Sequence, residues 1–308
     1  MKVFPELTKN AWKVLVFLSK TEAKPSEISR STGMPLSKVS ISVKQLIDKK
    51  VLKQRKGYEK ITIDGTLKNA IKNFLDWYGK DRLVNVFWGM RLNLLFQVSE
   101  NYDTSKKLRL VTGYSESTVK RILKELQDVL LVYQPKIGCY RLRDAEKDKV
   151  NLLKSVFIAH FLGSLSAQGI EFKEHKIFGD IVFITSAQEK IPNFVKTGFS
   201  LFYKYDIMIF EPSHKYFVSF DREPTKEEVF LHTLVFSLDH QRNMILCMLF
   251  AYLNRLNFKK LEKLPLFYKV ENEVNAISEF LKTNGQKRAE FLPRYKDYEE
   301  IRRDYERT

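Results

Sequence analysis

The chain has 308 residues, 44% of them apolar and 13% aromatic, which allows two or three folded domains and argues against large-scale disorder. No apolar run reaches the roughly 18 residues of a bilayer span, residues 1–6 hold no apolar stretch of signal-peptide type, and the two cysteines, Cys139 and Cys247, lack metal-ligand spacing, so a reducing, cytoplasmic compartment is expected. The formal net charge is +16, of which +14 falls in residues 1–144, and this predicts a polyanion-binding half beside a near-neutral half with another task.

From the N-terminus, Ala11 to Lys20 places Val14, Leu15 and Leu18 at helical spacing. Lys24-Pro25-Ser26-Glu27 opens a second helix, because proline in a first turn loses no hydrogen bond, and Gly33 ends it. A third helix runs from about Leu36 to Lys49 with Val39, Val43, Leu46 and Ile47 inward. Val51 to Gln54 and Lys60 to Ile63 then alternate around Arg55-Lys56-Gly57, the pattern of a hairpin with a basic tip. An amphipathic helix follows at Leu67 to Tyr78.

The plan then repeats at an offset of 80. Thr32-Gly33-Met34 reappears as Thr112-Gly113-Tyr114, Val39 meets Val119, Val43 meets Leu123, and Leu46 meets Leu126. Met90 to Glu100 is the expected first helix, Thr104 or Ser105 caps the second, and Ser115 caps the third. A hairpin from Leu130 to Tyr133 and Cys139 to Leu142 turns through Pro135 to Gly138.

Thr32-Gly33-Met34, Val39-Ser40, Leu46 and Val51-Leu52, followed by a hairpin, resemble the winged helix-turn-helix domain of prokaryotic regulators. Thr112-Gly113-Tyr114-Ser115 with Thr118-Val119-Lys120-Arg121 and Leu126 is the closer match, whereas the first unit has Pro35 and Leu36 where small polar capping residues are usual. The resemblance implies an α+β chain of two tandem winged helix-turn-helix domains, 1–65 and 88–144, joined by a linker helix region at 66–87 and followed by a mixed α/β domain at 145–308. It also implies that each third helix enters a DNA major groove. The outward positions are Ser37, Lys38, Ser40, Ile41 and Lys44 in the first unit, and Ser115, Glu116, Ser117, Thr118, Lys120, Arg121 and Lys124 in the second. Arg121 is the candidate for a bidentate grip on guanine, the lysines for phosphates, and Arg55 and Lys56 for a minor groove or backbone.

Lys147 to Ala167 is a broad apolar helix expected at a domain junction or homodimer interface through Phe157 and Phe161. Strands are expected at Ile170–Ile177, Asp180–Thr185, Asp206–Glu211 and Tyr216–Phe220, then a helix opening at Pro224–Glu228 and running through His232 to Asn257, and further helices at Lys259–Leu264 and Val270–Lys282. Thr197-Gly198-Phe199-Ser200, Tyr205-Asp206-Ile207 and Glu227 to His232 resemble a domain that follows winged helices in archaeal regulators and, more distantly, the antitoxin component of abortive-infection toxin–antitoxin pairs. That resemblance implies a sensing or partner-binding role. Glu228 and His232 share a helical face near Asp239, His240 and Arg242, but a surface ion pair explains them as well as a metal does. Phosphate-binding glycine loops and a nucleophile elbow are missing from the sequence, so neither enzymatic activity nor a cofactor is expected. The expected function is a double-stranded DNA-binding transcriptional regulator, a repressor or antitoxin-like autoregulator. The alternatives are a plasmid- or viral-type replication initiator and a winged-helix protein-interaction subunit.

Overall fold

The computed structural model describes residues 6–53, 61–63, 65–209, 213–261 and 264–306. They form two compact bodies, Lys2–Gly169 and Ile170–Thr308. Both mix helices with small antiparallel sheets, an α+β architecture.

In the first body, α1 (Lys9–Leu18) starts where the Thr8 hydroxyl accepts the Ala11 N–H at 3.2 Å, and it buries Trp12, Val14, Leu15, Val16 and Leu18. In α2 (Pro25–Thr32) Pro25 occupies the first turn and the Glu27 carboxylate accepts the Lys24 backbone N–H at 2.8 Å. Gly33, at φ 68°, turns the chain into α3 (Leu36–Asp48), which follows Pro35 without a side-chain cap and buries Val39, Ser42, Val43 and Leu46. A two-stranded sheet pairs β1 (Leu52–Lys53) with β2 (Thr62–Ile63), Leu52 opposite Ile63.

The second repeat reproduces this unit down to single hydrogen bonds. Its helices are α5 (Gly89–Ser99), α6 (Ser105–Thr112) and α7 (Glu116–Asp128), and its hairpin is β3 (Val132–Lys136) with β4 (Cys139–Leu142). Thr32 Oγ1 donates to the Ile28 carbonyl at 2.6 Å, and Thr112 Oγ1 to that of Leu108 at 2.7 Å. Ser19 Oγ donates to Val16 as Ser99 Oγ does to Phe96, both at 2.7 Å. Lys50 and Leu130 reverse the chain after the third helix at φ 59° and 61°, a left-handed backbone stabilised by return bonds from Val51 N–H to Leu46 and from Leu131 N–H to Leu126. The second strand of each hairpin is tied to the helical layer, in the first repeat by Ile61 N–H, just before β2, to the Ala23 carbonyl, and in the second by Tyr140 N–H of β4 to the Asp103 carbonyl.

Two helices bind the repeats together. The first, α4 (Gly65–Val86), breaks at Gly79, whose φ 71° and ψ 162° suit glycine alone. Its first segment buries Leu67, Ile71, Phe74 and Tyr78. In its second segment the Leu83 carbonyl accepts the Trp12 indole N–H at 3.0 Å, and Arg82 donates to the Val129 carbonyl at the end of α7. The second, α8 (Asp144–Ser166), is the broad apolar helix of the sequence, and it belongs to this body rather than to the following domain. Phe157 and Phe161 are buried here: Phe157 lies 6.0 Å from the Phe96 ring, and Lys154 pairs with Glu100. Glu146 accepts from the Tyr78 hydroxyl, and His160 Nε2 lies 2.7 Å from the Lys50 carbonyl. The apolar width predicted for an interface is therefore used in covering the second repeat, and the boundary falls after 169, not at 144.

The second body holds a sheet of order β5-β6-β8-β7, all antiparallel: β5 (Glu174–Phe178), β6 (Ile181–Ser186), β7 (Val195–Lys196) and β8 (Lys215–Val218). The strand expected at Asp206–Glu211 does not form over its described residues. Asp206, at φ 57°, closes a 3₁₀ helix at Gly198–Tyr205, and Ile207 N–H bonds back to Phe202, which turns the chain away from the extended state. The expected strand from Ile170 begins only at Glu174. Helix α9 (Lys226–Ser237) opens on a capping box of Thr225 and Glu228 and is buried on every side. A turn at Leu238–His240 separates it from α10 (Gln241–Leu253), so the single helix expected through Asn257 is two. After α11 (Phe258–Leu261), α12 (Leu264–Tyr268) and α13 (Glu271–Lys282), the Tyr- and Arg-rich tail forms α14 (Tyr295–Glu306), which buries Tyr298 against Phe280.

Candidate nucleic-acid interface

Both third helices turn their predicted contact positions outward, but the two surfaces differ. On α3, Ser37, Lys38, Ser40, Ile41 and Lys44 are all exposed. Lys38 and Lys44 make no ion pair among the described residues. The Ser40 hydroxyl donates to Leu36 one turn back, which leaves its oxygen able to accept. Ile41 is 69% and Leu36 50% exposed, large apolar side chains with nothing over them. Beside this face runs an open groove of about 600 Å³, lined by Thr8, Asn10, Lys38, Ile41, Lys44 and Lys49 among others. Arg55 and Lys56, the basic tip expected between β1 and β2, lie outside the described residues.

On α7 the same positions are already engaged. Ser115 caps the helix by accepting the Thr118 N–H at 3.2 Å, and its hydroxyl also meets Ser117 and Thr118, the latter half-buried. Glu116 pairs with Lys120 at 2.7 Å and with Arg109 at 3.5 Å. The Lys120 ammonium holds the Glu116 carboxyl below its ordinary range, and Glu116 in turn raises Lys120. Arg121, the expected guanine reader, is clamped at 2.5 Å by Glu125, which also holds Arg91 at 2.6 Å. A base or phosphate meeting Arg121 therefore competes with a carboxylate for one of its guanidinium nitrogens. Lys124 alone among the predicted cations of α7 has no ion pair within the described residues.

The second hairpin adds residues that the sequence reading passed over. Lys136 and Arg141 are exposed on β3 and β4, and Ile137 at the turn is fully exposed. The signal was available in the basic residue inside the turn Pro135 to Gly138, the feature that singled out Arg55 and Lys56 in the first hairpin.

In the second body, Glu228 and His232 do not converge as metal ligands. Glu228 is buried and grips Arg222 through two bonds of 2.7 and 2.5 Å. Burial pushes its carboxyl up, but the bonds from Arg222 and Thr225 outweigh this and hold it low. His232 Nδ1 lies 2.6 Å from Thr197 Oγ1 and its Nε2 2.9 Å from the Tyr268 hydroxyl, with the Phe183 ring 4.8 Å away. Burial pushes its imidazole down to about 3, so it is neutral in the fold. Asp239 and His240 lie in the exposed turn between α9 and α10. Among the described residues no group of three or more His, Cys, Asp or Glu gathers at one point, and no helix is long and apolar enough to cross a membrane.

Compared with known families, residues 191–307 match the family model described as HVO_2833_C, C-terminal. The match begins just before β7 and ends at the close of α14. No curated protein matches the chain.

Proposed function

We propose that residues 6–143 are two tandem winged helix-turn-helix units and that the protein is a duplex-DNA-binding transcriptional regulator. The observation that carries this is the duplicated unit with an outward third helix, whose first copy presents Lys38 and Lys44 without counter-ions among the described residues. Helices of this diameter fit a major groove, and unpaired lysines supply the phosphate contacts that dominate affinity. In this reading Ile41 and Leu36 meet thymine methyl groups while Lys38 and Lys44 bind flanking phosphates. The second repeat is the more guarded reader, because Glu125 competes with guanine for Arg121. The charge partition supports the same assignment, since +14 of the +16 lies in residues 1–144. Residues 170–308 then form the sensing or partner-binding part. The test is fluorescence anisotropy of the full chain on random and selected duplexes over a salt series. Binding whose logarithm falls linearly with log salt is expected, and salt-independent binding or none removes the proposal.

A further inference from the structure

In the first repeat, α1, the last residue of α2 and the second segment of α4 enclose a cleft of about 260 Å³ that the DNA reading leaves unused. Val16, Phe17 and Val84 give it an apolar floor, and Lys13, Lys20 and Lys80 line it together. None of these three lysines, nor Asp81 beside them, forms an ion pair among the described residues. The cleft therefore carries unbalanced positive charge over apolar surface.

The second repeat shows what this helix face normally meets. Positions 13, 16, 17 and 20 correspond at the offset of 80 to Asn93, Phe96, Gln97 and Glu100. There α8 fills the face: Phe157 packs on Phe96, and Lys154 pairs with Glu100. Asn93 and Gln97 are buried and bonded to each other at 3.2 Å. In the first repeat α4 takes the part of α8, following the first hairpin as α8 follows the second, and it closes on α1 through Trp12 and Leu83. The positions of Lys154 and Phe157 fall at this offset on Phe74 and Trp77, so α4 gives Lys20 no counterpart of the Lys154–Glu100 pair, and a cleft remains beside it. An occupant that fills it must offer apolar surface to Val16, Phe17 and Val84 and a negative charge to the three lysines.

We infer that this cleft is a binding site for a small amphipathic organic anion, an apolar ring or short chain bearing a carboxylate, sulfonate or phosphate. The ring rests on Val16, Phe17 and Val84, and the anionic head takes charge-assisted bonds from Lys13, Lys20 and Lys80. The volume lies just under the roughly 300–1,000 Å³ of drug-sized sites, which limits the ligand to a compact molecule. Such a ligand touches α4 just past the Gly79 break and Thr32 just before α3, so it braces the linker helix against the first repeat.

The experiment uses 8-anilinonaphthalene-1-sulfonate as the probe on the full chain, followed by fluorescence and calorimetry. One molecule per chain is expected to bind saturably. Replacing Lys13, Lys20 and Lys80 together by Gln should weaken it by about tenfold or more, as three charge-assisted contacts are lost. Asp81→Asn, a single exposed change that keeps the fold, should tighten it severalfold, and this variant decides the matter if the triple variant unfolds. The uncharged analogue N-phenyl-1-naphthylamine should bind far more weakly than the sulfonate. Wild-type affinity in the folded triple variant, no change in Asp81→Asn, or equal binding of the uncharged analogue would each overturn the inference. DNA is absent from the titration, so its outcome is independent of the reading under Proposed function.

Discussion

The two repeats share a backbone and differ in what covers it. In the first, the outer face of α3 is bare: lysines without ion pairs among the described residues, and Ile41 and Leu36 in solvent. In the second, Glu116 is shared by Lys120 and Arg109 and Glu125 by Arg121 and Arg91, which offsets half of that positive charge, and α8 seals the opposite face. The fold is set by positions that the repeats hold in common: the left-handed glycine, the threonine bonded one turn back, and the inward Val, Leu and Ile. The surface chemistry is set by those they do not share. On the proposed reading, the copy with open lysines supplies more of the affinity than the copy whose cations are partly paired within the fold.

The largest expected effect tests the covering of the second repeat. Phe157→Ala should destabilise the first body by about 3–5 kcal/mol, because it opens a cavity against Phe96. Leu152→Ala, on the exposed side of the same helix, should change stability by no more than about 0.5 kcal/mol. Urea unfolding of both variants measures this. It also predicts that a fragment ending at 144 unfolds where one ending at 169 folds, and equal costs at the two positions would mean that α8 does not seal the repeat.

Acid sensitivity should reside in the second body rather than in either repeat. The neutral form of His232 is favoured in the fold, with its pKa depressed to about 3, whereas the unfolded imidazole titrates near 6.5. The unfolded chain therefore binds the extra proton first, and stability present above about pH 6.5 is lost as the pH falls toward the folded value. Between about pH 6.5 and 4.5 the loss should reach about 2–3 kcal/mol. His232→Gln should flatten that slope in denaturation curves. An unchanged slope would mean that another group carries it.

Sequence pattern revealed the repeat because helix periods, capping residues and Thr-Gly are local signals. Gly33 and Gly113 had to end helices, and they do so at φ 68° and 71°. The ownership of α8 was hidden, because Phe157 and Phe161 announce burial without saying what buries them. The missing strand at Asp206–Glu211 has the same origin: apolar alternation around Ile207 was legible, but the turn at Asp206 depends on a bond back to Phe202. The outward positions of α3 and α7 were readable from period alone. The pairs Glu116–Lys120 and Arg121–Glu125 lie four residues apart on α7 and were readable from the same period, whereas the further contacts of Arg91 and Arg109, which come from α5 and α6, needed the fold.

Gly33→Ala and Gly113→Ala sharpen the comparison from the side of what is shared. A Cβ at either position meets nothing within 4 Å, so only backbone strain is added. Each variant should lose about 1 kcal/mol, and nearly the same amount in both repeats. Melting curves with clearly unequal losses would show that the duplicated turns are not equivalent.

Among the DNA-binding variants, Glu125→Gln should release Arg121 and Arg91 together and tighten duplex binding by about two- to fivefold, the range that an exposed ion pair of up to about 1 kcal/mol allows. Weaker binding in this variant would mean that Glu125 contacts the duplex itself, as glutamate can at a cytosine amino group.

The most direct test of the central claim is the salt dependence of duplex binding by the full chain and two double variants, Lys38→Ala with Lys44→Ala, and Lys120→Ala with Lys124→Ala. For wild type the slope of log affinity against log salt should be steep, near −0.9 per neutralised phosphate. Removing the two unpaired lysines of α3 should make it shallower by about two, and removing the pair on α7, one of which is already bound to Glu116, by about one. A slope near zero in the wild-type chain, or a larger change from the α7 pair than from the α3 pair, would contradict the account.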